Sequence, residues 1–75
     1  MAETLLTVIE NSFQVAWDYL EATGELGHPE TAANHLLDTI ETMARRGERR
    51  QLLLANKAIA AYQRFRAEQG LPLAS

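Results

Sequence analysis

Three interruptions divide this chain into stretches that are each the length of a helix. Gly24 and Gly27 stand ahead of His28 and Pro29, Gly47 lies between two arginine pairs, and Gly70 is followed by Pro72. Glycine readily takes the left-handed conformation that closes a helix, and proline suits the first turn of the next one. The punctuation predicts helices over about 3–23, 29–46 and 48–69, with a tail over 70–75. Short connections make successive helices antiparallel. The expected fold is all-α, a small antiparallel three-helix bundle forming one domain over 1–75.

Apolar periodicity agrees with the punctuation. At about 100° per residue, Leu5, Leu6, Ile9, Phe13, Ala16, Trp17 and Leu20 share one stripe of the first helix. Ala32, Ala33, Leu36, Leu37, Ile40, Met43 and Ala44 form a narrower stripe on the second. Leu52, Leu54, Ala55, Ala58, Ile59, Ala61, Tyr62 and Phe65 line the third. The last two stripes are nearly in phase, which leaves an alternative: a helical hairpin with one long helix over about 29–69, obligately dimeric. Residues 45–51 contain no apolar side chain, however, so the stripe breaks where glycine makes a turn easy, and the turn is preferred.

A chain of 75 residues buries only about 60% of its unfolded surface, so its stability is marginal without a supplement. It has no cysteine, which excludes disulfides and thiolate metal sites and leaves oligomerisation as the common remedy. Apolar residues make up 47% of the chain, as in ordinary globular domains. No basic segment precedes an apolar core at the N-terminus, and no apolar run approaches the ~20 residues of a membrane span. A cytoplasmic location without membrane contact is expected.

Charge is divided between the halves. Residues 1–44 hold eight carboxylates and no Lys or Arg, a balance of -8, while residues 45–75 hold seven basic residues and two carboxylates, a balance of +5. Such asymmetry fits attraction between the halves, head-to-tail association or a basic surface for an anionic partner. In an up-down-up bundle, Glu3 and Glu10 would lie near Arg45, Arg46, Arg49 and Arg50. Asp18, Glu21 and Glu25 would lie near Arg64 and Arg66. Arg66 falls inside the apolar arc of its helix and has to extend outward or find a carboxylate, with Asp18 or Glu21 the expected partner.

Two surfaces are candidates for function. On the first helix Val8, Val15 and Tyr19 add a second apolar strip that widens the arc to about 200°, more than one helix of a small bundle needs. Such excess marks a surface for self-association or for a protein partner. Leu53, ringed by Arg50, Lys57 and Arg64, offers a second contact suited to an acidic amphipathic partner. The outer face of the third helix also aligns Arg49, Arg50, Asn56, Lys57 and Arg64, side-chain types that contact phosphates and base edges. Against nucleic acid stand a pI near 5.2 and the eight carboxylates of the other helices.

Nothing in the pattern calls for a metal, a cofactor or catalysis. His28 and His35 are seven residues apart, about 10 Å along a helix, whereas a helical pair sharing one zinc uses a spacing of four. His28 reads as a cap or turn residue and His35 as a polar-face residue in reach of Asp38. Phe13, Trp17, Tyr62 and Phe65 read as core rather than as a ligand slot. The expected function is a non-catalytic self-association or protein-interaction module, a homodimer or the partner of another protein, with a nucleic-acid-associated regulator as the alternative.

Overall fold

The computed structural model describes residues 4–74, with side chains described over 4–69. It contains α1 (Leu5–Ala22), α2 (Pro29–Arg45) and α3 (Gln51–Ala74), and every pair of helices is in contact. The three-helix bundle is therefore the fold, and the long-helix alternative is excluded: residues 48–50 are not helical and Gly47 has a φ of 110°.

Both connections are closed by the same device. At the end of α1, Gly24 N–H donates to the Glu21 carbonyl and Glu25 N–H to the Leu20 carbonyl. At the end of α2, Gly47 N–H donates to Ala44 and Glu48 N–H to Met43. This is the Schellman arrangement, which satisfies the last carbonyls of a helix and requires a left-handed residue at its centre. Gly24 and Gly47 supply that residue, with φ of 74° and 110°. The starts are less uniform. Thr4 caps α1 by accepting from Thr7 N–H at 3.1 Å, whereas His28 holds the cap position of α2 with no side-chain bond and Pro29 follows it.

The third expected stop fails. Helix α3 starts at Gln51 rather than 48 and runs through Gly70 to Ala74, so the predicted tail 70–75 is mostly helix. Glycine inside a helix costs only about 1 kcal/mol relative to alanine, so it permits termination without compelling it.

The buried residues follow a rule that the fixed stripes did not capture. Most recur every four positions, Val8, Ser12, Ala16 and Leu20 on α1, Ala32, Leu36, Ile40 and Ala44 on α2, and Leu54, Ala58 and Tyr62 on α3, with Ile9, Ala55 and Ile59 beside these rows. The rows are the oblique i±4 ridges along which crossing helices interlock, and a step of four residues turns about 40° around the helix. The buried line thus winds across each helix instead of running straight. Five of the thirteen apolar core residues are alanines, which lets the helices approach closely. Ser12 is the one polar residue fully inside among those described, and its hydroxyl donates to the Val8 carbonyl at 2.7 Å.

Winding explains which predicted core residues are not core. Leu6 is 63% exposed and Leu52 is 68% exposed, each lying at the end of its helix where the buried line has moved to another side. Leu5 is exposed for the same reason, Leu37 because it lies about 100° around α2 from the buried Leu36, and Phe13, Trp17, Met43 and Phe65 pack only against the edge of the core. Val8, by contrast, is fully buried because the line begins on its side of α1.

Candidate interaction surface

Burial of Val8 corrects the predicted strip on α1, since only Val15 and Tyr19 of that trio are exposed. A different strip takes its place. Leu6, Phe13 and Trp17 lie within about 40° of one another around the helix, on the flank opposite Val15 and Tyr19. Leu6 is exposed, Phe13 and Trp17 are half-buried, and the two rings meet with centroids 5.5 Å apart. Glu10 and Glu21 are exposed beside this strip on its solvent side. The fixed stripe had placed Leu6, Phe13 and Trp17 in the core; following the i+4 rows Val8, Ser12, Ala16 and Leu20 would have separated them from it.

The basic side of the molecule is built around the connection between α2 and α3. Arg49 Nη1 donates to the Ala44 carbonyl at 2.6 Å, placing a cation at the C-terminal end of α2, where the helix dipole favours it. Glu48 accepts Arg50 N–H at 3.0 Å, and the Arg50 guanidinium grips both of its carboxylate oxygens at 2.9 and 3.1 Å. Arg49 and Arg50 are therefore engaged within the chain. Asn56, Lys57 and Arg64, the remaining members of the predicted anionic-partner face, are exposed, and their side chains make no hydrogen bond or ion pair among the described residues. Leu53 is not a lone exposed leucine: it is half-buried in a shallow groove with Met43, Arg46, Gly47, Glu48 and Lys57. A second groove, lined by Lys57, Ala60, Ala61 and Arg64, adjoins the first at Lys57. Together they form a shallow trough of mixed polarity, with Met43, Leu53, Ala60 and Ala61 beside the cations Arg46, Lys57 and Arg64 and Glu48 at one end.

The Arg50 side chain bound to Glu48 holds that carboxyl at about 2 against an ordinary 4.5. Because the folded value is the lower one, this interaction stabilises the fold fully above about pH 4.5 and is lost as the pH falls toward 2. Glu48→Gln is accordingly expected to unfold at a lower urea concentration than wild type at neutral pH. The gap should close on acidification through that window; a gap independent of pH would show that the carboxylate is not what stabilises the turn.

At the opposite end of the bundle α3 clamps the connection between α1 and α2. Tyr62 Oη donates to the Leu26 carbonyl at 2.6 Å, Gln63 Nε2 to the Glu25 carboxylate at 3.1 Å, and Arg66 to the Glu25 carbonyl. Arg66 does extend outward, yet its partner is this main-chain oxygen and not Asp18 or Glu21; Asp18 is held by Gln14 one turn away. The other expected interhelical pairs do not form among the described residues: Glu48 with Arg50 is the ion pair present, and Glu3 lies outside those residues. The approach is close enough that a Cβ on Gly27, whose φ is 67°, would stand 3.2 Å from Arg66 Cζ and 3.3 Å from Tyr62 Oη.

His35 also differs from its expected place. It lies against Phe65 and Tyr62, with ring centroids at 4.6 and 5.7 Å, and its Nδ1 is buried without a hydrogen-bond partner, so Asp38 does not reach it. Its neighbours are aromatic because α2 presents it to α3 rather than to solvent. No group of three or more His, Cys, Asp or Glu that could hold a metal occurs among the described residues. No helix there is long and apolar enough to cross a membrane.

Comparison of the chain with protein-family models, with curated proteins and with solved structures gives no match.

Proposed function

We propose that this protein is a non-catalytic cytoplasmic module that self-associates through α1, a homodimer being the smallest product. The observation that carries the reading is the apolar strip on one flank of α1, where Leu6 is 63% exposed and Phe13 and Trp17 beside it are half-buried, with Val15 and Tyr19 exposed on the opposite flank. A chain this short with no disulfide gains most from covering such a surface. The alternative role, regulation through nucleic acid, has less support: two of its five side chains, Arg49 and Arg50, are engaged in the α2–α3 connection.

Light scattering on a sizing column at two protein concentrations tests the reading. The expected wild-type mass exceeds the 8.4 kDa of one chain and rises with concentration. Leu6→Glu should return it to one chain with helicity unchanged, since Leu6 contributes little to the core. Val15→Glu reports whether the opposite flank is used instead. A wild-type mass of one chain under all conditions would refute self-association.

A further inference from the structure

Two surfaces of this chain complement each other, and they lie on different helices. One is the strip of Leu6, Phe13 and Trp17 on α1, apolar and edged by Glu10 and Glu21. The other is the trough along α3, lined by Met43, Leu53, Ala60 and Ala61 with Arg46, Lys57 and Arg64, and with Glu48, whose carboxylate Arg50 already holds, at one end. Their lengths agree: Leu6 to Trp17 and Leu53 to Arg64 each span eleven positions, about 16 Å of helix. Their charges are opposite, because α1 carries carboxylates and no basic residue while the trough's cations Lys57 and Arg64 have no partner within the described chain. An α1-to-α1 contact would bring acidic margins together; α1 against the trough brings acid to base beside apolar side chains.

Resting on the self-association reading above, we propose that the occupant of the trough is α1 of a second copy, giving a head-to-tail contact. Because the two surfaces are distinct, two copies either pair reciprocally, each α1 in the other's trough, or leave one surface of each open so that the contact propagates into a ring or a chain. Mass therefore rises to two chains or more with concentration, and salt reduces it by screening the rim charges.

Charge reversal tests the arrangement. Glu10→Lys with Glu21→Lys makes both surfaces basic, and Lys57→Glu with Arg64→Glu makes both acidic. Each double variant, its fold checked by circular dichroism, is expected to associate on the order of tenfold more weakly than wild type. An equimolar mixture of the two should regain association, since the basic α1 of one meets the acidic trough of the other. Double variants that associate as wild type does, or a mixture that stays at one chain, would overturn the head-to-tail contact. If Leu6→Glu still abolishes association in that event, self-association through α1 stands and only this occupant fails. A wild type that is monomeric throughout removes both.

Discussion

Tyr62→Ala is expected to leave most of the protein unfolded at room temperature, and Tyr62→Phe to leave it folded but measurably weaker. Tyr62 is the largest fully buried side chain among the described residues and packs between α2 and the α1–α2 connection. Truncating a buried aromatic costs about 3–5 kcal/mol, comparable to the whole stability of a domain near the lower end of the usual range. The phenylalanine variant keeps the ring and removes only the donor to the Leu26 carbonyl, a loss of about 1–3 kcal/mol. In a chain of this size each kcal/mol moves the midpoint by roughly 4–8 °C, so thermal unfolding separates the two effects. Identical midpoints for wild type and Tyr62→Phe would show that the hydroxyl bond stabilises nothing.

The second large effect distinguishes two neighbouring leucines. Leu36 is 0% exposed and Leu37 is 37% exposed. Leu36→Ala should cost about 2–5 kcal/mol, whereas Leu37→Ala should cost less than about 1 kcal/mol because a partly exposed site leaves no cavity. Urea denaturation of both variants checks the difference. Similar losses would mean that Leu37 is covered in solution, and a concentration-dependent loss at Leu37 would extend the association surface onto α2.

That contrast also shows how far the fold was legible in the residues alone. The helix number, the two Schellman closures at Gly24 and Gly47 and the antiparallel order all follow from glycine and proline chemistry, which is local. Leu36 and Leu37 could not be ranked by a fixed 100° stripe, because both lie within it. Their ranking depends on how obliquely α2 crosses its neighbours, a property of the assembled bundle. The same limit moved Val8 from the surface to the core and Leu6 from the core to the surface. Charges were misplaced for a different reason. Exposed ion pairs are worth about 0–1 kcal/mol, too little to outweigh backbone carbonyls that need donors, so Arg66 and Arg49 serve main-chain oxygens. The trough rimmed by Arg46, Lys57 and Arg64 was half visible, since Leu53 was recognised among cations but its neighbours Met43, Ala60 and Ala61 were not.

The clamp of α3 on the α1–α2 connection ties that connection to a distant part of the chain. Its donors stand 36 to 41 residues after the oxygens they serve. During synthesis, α1, the first connection and α2 are all made before Tyr62, Gln63 and Arg66 exist, so the carbonyls of Glu25 and Leu26 must rely on water until then. Two of the three helices are thus made before the donors that close the connection between them.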